Sequence, residues 1–129
     1  MALSFIIYGP PRTKKNSNQI CKTATGRTFI APSKYYRDYA KEFLKQVRAE
    51  WKQHIDVRVN AKYVYYMPNN RVVDLVGLEQ ATNDLLVKAG VIKDDNIRIV
   101  ATHDGSCVYV DRTCPRVEIE LRPKAEGRP

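Results

Sequence analysis

Three aspartates in the second half of the chain have the types and spacing of metal-binding residues. Asp74 directly precedes a predicted helix, and Asp94 and Asp95 form an adjacent pair beyond the end of that helix. Mg²⁺ and Mn²⁺ prefer oxygen ligands, and metal-dependent cutting of a phosphodiester needs carboxylates that converge on one point, because the metal polarises both the phosphate and the attacking water. We therefore treat Asp74, Asp94 and Asp95 as candidate residues of a metal site.

The position of these aspartates permits a metal site and also a purely structural role. A helix over residues 75–88 spans about 20 Å, so the segment after Gly90 has to run back along the helix to bring its aspartates to Asp74. In the structural alternative, Asp74 only caps the helix, and Asp94 and Asp95 only form a turn with Asn96. The residues by themselves leave both alternatives open.

The distribution of charge predicts a polyanionic partner. The chain has a net charge of +8, and no acidic residue occurs before Asp38, whereas this stretch contains Arg12, Lys14, Lys15, Lys22, Arg27, Lys34 and Arg37. Six of the fourteen acids lie between positions 74 and 104. Cations of this kind contact phosphates, and an acidic cluster repels nucleic acid unless it binds a cation. The alternative is that both groups are solvated surface charges.

Strands are predicted from runs that alternate between apolar and polar residues. They cover residues 3–8, 27–30, 57–66, 97–102, 107–110 and 117–121, and the longest run places on one face Val57, Val59, Ala61, Tyr63 and Tyr65. Asp104 and Gly105 predict a hairpin turn between the strands at 97–102 and 107–110. Residues 12–25 are loop-like, and residues 122–129 predict a flexible tail.

Two helices are predicted between these strands. The first follows Ser33 and has an apolar stripe of Tyr36, Ala40, Phe43, Leu44, Val47 and Trp51. The second follows Asp74, buries Leu78, Ala81, Leu85 and Leu86, and ends at Ala89 and Gly90. Gly77 in its first turn predicts close packing there. The order of elements predicts one α+β domain over residues 1–129, with a mixed β-sheet packed against two helices.

Several protein classes are not favoured by the sequence. The first apolar run, residues 3–8, is too short for a signal peptide or a membrane span, so we expect a cytoplasmic protein with no membrane partner. The three cysteines have neither the even number of a disulfide framework nor the spacing of a zinc site. No phosphate-binding loop or dinucleotide fingerprint occurs, so no organic cofactor is expected.

The segment from Asp74 to Asp95 resembles the signature of the RusA family of Holliday-junction resolvases. In that signature D-x-D-N opens a helix, D-x-L follows ten residues after the first Asp, and D-D closes the segment. The matching positions here are Asp74, Asp84, Leu86, Gly90, Asp94 and Asp95. The N-terminal stretch is similar as well, with residues 6–11, Lys14, Lys15 and Asn16 at the place of the family's first strand and DNA-facing loop, and with Tyr36, Arg37 and Asp38 opening the first helix.

The resemblance implies a homodimeric endonuclease that cuts four-way DNA junctions with Mg²⁺ or Mn²⁺, as in recombination and repair, and that is often encoded by prophages. It implies that Asp74 and Asp95 bind the metal and that Asp94 orients water or supports the site. Phosphate contacts are expected from Arg12, Lys14, Lys15, Asn16 and Arg27.

The chain departs from the family pattern inside the metal-binding signature. Val76 replaces the second Asp, Gly77 replaces the Asn, and Gln80 stands where the family has a lysine. Glu79 lies three residues after Val76 on the same helix face, so we hypothesise that Glu79 replaces the missing ligand, with Asn83 as an outer candidate. Alternatively, Glu79 is an exposed helix acid. His103 is either a metal ligand or a residue that ends a strand beside a turn.

Two other functions remain compatible with the sequence. Val76 and Gln80 are consistent with a protein that binds DNA junctions or single strands on the same fold without cutting them. The positive charge is also compatible with a basic interaction module unrelated to DNA.

Overall fold

The computed structural model describes residues 2–14 and 18–125 of the 129-residue chain. In chain order the elements are β1 (Leu3–Tyr8), β2 (Asn18–Lys22), β3 (Thr28–Pro32), α1 (Lys34–Gln46), a short 3₁₀ helix (Ala49–Trp51), β4 (Val59–Met67), α2 (Leu75–Lys88), β5 (Val100–Thr102), β6 (Cys107–Val110) and β7 (Arg116–Pro123). Neither helix of this described part combines the length and the apolar character needed to cross a membrane.

The main sheet is mixed and has five strands. Across the sheet the order is β1-β7-β4-β5. Strand β6 also pairs with β4, further along it than β5. Strand β7 is antiparallel to both β1 and β4, whereas β5 and β6 are parallel to β4. Strands β2 and β3 form a separate antiparallel pair. Within the described residues, a mixed sheet with two helices confirms the predicted α+β fold.

The helices cover one face of the main sheet. Alternate residues of β4 are fully buried on that face, as the period of two predicted, and they are Val59, Ala61, Tyr63 and Tyr65. Leu78, Leu85 and Leu86 of α2 are buried in the same region, and each contributes roughly 1.5–3 kcal/mol by leaving water. Two side-chain hydrogen bonds fix α2 on β4: Tyr63 to Asn83 (2.6 Å) and Tyr65 to Thr82 (2.7 Å).

Both helices begin at the residues that the sequence indicates. The Ser33 hydroxyl accepts a hydrogen bond from the backbone N–H of Tyr36, and the Asp74 carboxylate accepts one from Val76. These acceptors satisfy N–H groups that have no partner within the first turn of a helix. Helix α2 ends before Gly90, whose φ of +79° is a conformation that glycine adopts without strain.

The predicted hairpin between β5 and β6 is wrong. Both strands run in the same direction along one edge of β4, where Val59 pairs with Val100 and Val64 pairs with Cys107. From Val100 to Cys107 the chain advances seven residues, while β4 advances five residues from Val59 to Val64. The extra residues form a bulge. Asn60 stabilises this bulge, because its side chain accepts from the N–H of Asp104 (2.8 Å) and donates to the carbonyl of the same residue (3.1 Å).

Four smaller expectations also differ from the structure. The strand predicted from position 97 begins only at Val100, because the Asn96 carbonyl accepts hydrogen bonds from residues 99 and 100 and closes a turn. Residues 18–22 form a strand where a loop was predicted. The predicted tail begins too early, since residues 122 and 123 pair with β4. Two residues predicted to be in the core are exposed, namely Leu44 and Val57.

Candidate functional site

Asp74 is the N-cap of α2, as one of the two alternatives predicted. Its Oδ1 accepts a hydrogen bond from the N–H of Val76 at 3.2 Å. Its Oδ2 lies 3.6 Å from where a Cβ on Gly77 would stand. The capping role is therefore confirmed.

Glu79 is not an exposed helix acid. Its side chain is only 13% exposed, and its Oε2 lies 3.9 Å from Nδ1 of His103. The charge of Glu79 also acts on the hydroxyl of Tyr63, a residue of β4 that is fully buried. Glu79 therefore points toward the sheet, from the same turn of α2 as the exposed Val76.

A chain of hydrogen bonds connects Tyr63 to His103, whose ring lies beside Glu79. The Tyr63 hydroxyl donates to Oδ1 of Asn83 (2.6 Å), the Asn83 amide donates to Nε2 of His103 (3.3 Å), and Nδ1 of His103 donates to the Ala61 carbonyl (2.7 Å). Because a carbonyl only accepts and an amide nitrogen only donates, Nδ1 carries a hydrogen and Nε2 accepts in this arrangement. Both ring nitrogens have partners, so His103 has the strand-end role and has no free lone pair for a metal.

Asp95 lies in the loop after α2, and its charge acts on the same hydroxyl as the charge of Glu79. Burial raises the pKa of Tyr63 well above its usual value, and the negative charges of Glu79 and then Asp95 raise it further. Both carboxylates therefore lie within electrostatic range of one hydroxyl. The Asp95 carboxylate has no hydrogen bond within the described residues. Charges from α2 and from the loop after it thus act on one buried hydroxyl, and the replacement of the missing ligand by Glu79 stays a prediction.

Asp94 has a structural role in the loop. Its Oδ1 accepts from the backbone N–H of Asp95 at 2.7 Å, and its Oδ2 accepts from the Asn96 side chain at 3.2 Å. These bonds form a local turn of the kind that aspartate favours. Asp94 therefore orients the loop that carries Asp95, which is consistent with the supporting role expected for it.

The arrangement of donors fits a Mg²⁺ site only in part. The described residues contain no group of three or more His, Cys, Asp or Glu side chains placed to hold a metal ion. Mg²⁺, however, usually keeps several water ligands and binds through one or two carboxylates together with substrate phosphates. Glu79, Asp95 and Asp74 are carboxylates of this chemical type. Their chemistry therefore suits a site completed by water and phosphate, and the described residues form no closed protein cage.

The predicted DNA contacts lie in different environments. Arg12 is exposed and its guanidinium is 5.3 Å from the centre of the Tyr35 ring, and Arg27 is exposed in the turn between β2 and β3. Lys14 forms an ion pair with Asp84 and lies 5.7 Å from the centre of the Tyr36 ring. The remaining predicted contacts, Lys15 and Asn16, lie outside the described residues.

Gly77 lies where the N-terminal loop approaches α2. A Cβ at this position would stand 3.4 Å from Cγ2 of Thr13, which is at the edge of ordinary van der Waals contact. Because the space suffices and Gly77 is helical, we expect Gly77→Ala to raise the free energy of unfolding by up to about 1 kcal/mol. Urea denaturation measures this difference. A loss of stability would mean that the loop packs more tightly than these distances indicate.

Tyr63 was not identified from the sequence as a residue of the candidate site, and Asn83 was only an outer candidate. Asn83 is buried among the apolar residues of α2, next to the buried Thr82. Polar side chains on the apolar face of a helix need hydrogen-bond partners. Thr82 and Asn83 were therefore the signal in the sequence that α2 contacts polar groups of another element. No protein-family model matches the chain, and no curated protein matches it significantly.

Proposed function

We propose that this protein is a Mg²⁺-dependent endonuclease that cuts four-way DNA junctions, like the RusA resolvases that its sequence resembles. The observation that supports this proposal is that Glu79 is turned inward, with only 13% of its side chain exposed, and that its charge and the charge of Asp95 both act on the Tyr63 hydroxyl. These carboxylates come from the two segments that the sequence signature connects, and Glu79 is the residue expected to replace the ligand missing at Val76. In the same proposal the protein acts as a cytoplasmic homodimer.

In this proposal the chain's own residues hold and orient the reacting groups. Glu79, Asp95 and Asp74 would bind a divalent cation, which could also be Mn²⁺, and when bound it polarises the scissile phosphate and lowers the pKa of an attacking water. Tyr63, Asn83 and His103 keep the wall beside Glu79 rigid through their hydrogen bonds. Arg12, Lys14 and Arg27 contribute phosphate contacts.

A second candidate function is junction or single-strand DNA binding without cleavage. The exposed side chain of Val76 favours it, since 57% of this apolar residue is accessible at the position where the resemblance requires an aspartate. An apolar side chain there supplies no metal ligand. Both candidates share the DNA contacts and differ only in chemistry.

One experiment separates the two candidates. The purified protein is incubated with a labelled four-way junction and with a linear duplex of the same length, each with Mg²⁺ and with EDTA. Symmetric nicks in the junction that appear only with Mg²⁺ support the endonuclease. A junction that is bound but intact supports the binding protein. Equal, weak binding to junction and duplex at physiological salt would contradict both.

The ion pair between Lys14 and Asp84 predicts an unusual effect of removing an acid. Asp84 competes with phosphate for Lys14, so Asp84→Asn is expected to tighten junction binding by up to about tenfold at about 0.1 M salt and to steepen the salt dependence by about one phosphate contact. Fluorescence anisotropy over a range of salt concentrations measures both quantities. Asp56→Asn is the matched control, because it removes the same charge from a surface pair with Lys93. Equal effects of the two changes would show that only net charge matters.

A further inference from the structure

The face of the main sheet that the helices leave open carries a row of four neighbouring side chains. Tyr8 of β1 pairs in register with Arg116 of β7, Arg116 pairs with Tyr66 of β4, and Tyr66 pairs with Tyr109 of β6. Residues that pair in register point to the same face and stand about 5 Å apart. We call these four residues the aromatic row, since it presents three phenol rings and one planar guanidinium.

The middle of the aromatic row is stacked and held in place. The Arg116 guanidinium lies 3.7 Å from the centre of the Tyr66 ring, and the Tyr66 and Tyr109 rings are stacked with their centres 5.6 Å apart. Arg116 is fixed by hydrogen bonds to Asp111 (2.9 Å) and Glu118 (3.1 Å). These acids also neutralise its charge. Because Arg116 and Tyr109 lie against Tyr66, the ring faces left for a further stacking partner are those at the two ends of the row, on Tyr8 and Tyr109.

Both ends of the aromatic row are open, and each is followed by a cation. Tyr8 is 54% exposed and Tyr109 is 55% exposed. Beyond Tyr8 lies a cleft of about 420 Å³, lined by Arg12 and Tyr35 and also by the acids Asp38 and Glu42. Beyond Tyr109 the chain reaches the exposed Arg112. Exposed tyrosine rings with a cation beyond each of them match the alternation of bases and phosphates along a nucleic-acid strand.

We propose that the aromatic row binds unpaired nucleobases of DNA by stacking. This inference rests on the proposed function, because it assumes that DNA is the partner, and it adds a second surface on the side of the sheet opposite Glu79 and Asp95. Aromatic residues on an open sheet face stack unpaired bases in other folds, and such stacking tolerates any base sequence. The row therefore selects DNA that has unpaired bases.

The test measures base stacking apart from phosphate binding. Fluorescence anisotropy in EDTA is recorded for a labelled oligothymidylate of about 15 nucleotides and for an abasic strand of the same length. Tyr109→Ala is expected to weaken binding to the oligothymidylate on the order of tenfold and to leave binding to the abasic strand within about twofold. Tyr109→Phe keeps the ring, and Val110→Ala alters an exposed neighbour on the same strand, so both are expected to bind like the unmodified protein.

Three results would overturn the inference. Equal weakening for both strands would mean that the variant affects phosphate binding or folding. Unchanged binding of the oligothymidylate by both Tyr109→Ala and Tyr8→Ala would mean that the row does not contact bases. Unchanged binding together with a change in oligomeric state, measured by sedimentation, would assign this face to a second copy of the chain. If the unmodified protein cuts the junction while any of these results is found, the proposed function stands and only the aromatic row is refuted.

Discussion

Asp95→Asn is expected to lower the rate of Mg²⁺-dependent junction cutting by about a thousandfold, without weakening junction binding in Ca²⁺. The substitution keeps the shape of the side chain and removes the charge of a carboxylate that has no hydrogen bond within the described residues. A bound metal stabilises the charge of the transition state by several kcal/mol, and about 4 kcal/mol corresponds to a thousandfold in rate. Single-turnover cleavage of a labelled junction measures the rate.

The same assay decides the role of Glu79. Glu79→Gln is expected to reduce cutting to a similar extent, because Glu79 takes the place of the ligand missing at Val76. Asp38→Asn on the exposed surface of α1 is the matched control, since it removes one negative charge away from the site. If Glu79→Gln cuts normally while Asp74→Asn is inactive, Glu79 does not bind the metal and its position beside His103 serves structure alone.

Leu85→Ala is expected to lower the free energy of unfolding by about 2–5 kcal/mol. Leu85 is fully buried where α2 packs on the sheet, so its truncation both removes apolar contacts and leaves a cavity. The expected fall in melting temperature is roughly 10 °C or more for a domain of this size. Leu44→Ala is the matched control, because the same change at a residue that is 37% exposed is expected to cost less than about 1 kcal/mol. Similar losses at both positions would mean that α2 is loosely packed.

Local patterns in the sequence predicted most of the helices and strands. The alternation along β4, the cap at Asp74 and the glycine that ends α2 each act over a few residues, and each was confirmed. The direction of β6 could not be predicted in this way. Asp104 and Gly105 are typical of a hairpin, but Asn60, more than forty positions earlier, binds this loop to the edge of β4. Local turn signals do not reveal such a partner.

The candidate site shows the same limit. The types of Glu79 and Asp95 indicated metal chemistry, yet the buried hydroxyl on which both charges act belongs to Tyr63 of β4, and no local pattern indicated its role. Lys14 was expected to face DNA, and its pairing with Asp84 joins residues seventy positions apart. Charge counts and spacing identify the residue types that a site needs. Long-range packing decides which of them meet.

The position of β7 in the sheet has a consequence for how this protein folds. Strand β7 lies between β1 and β4, so these two earlier strands are connected within the sheet only through β7. Forming the sheet therefore requires closing loops over most of the chain, a topology that generally makes folding slow. During synthesis, β1 and β4 must wait with unpaired edges until β7 leaves the ribosome, and that interval is when the chain is most prone to aggregate.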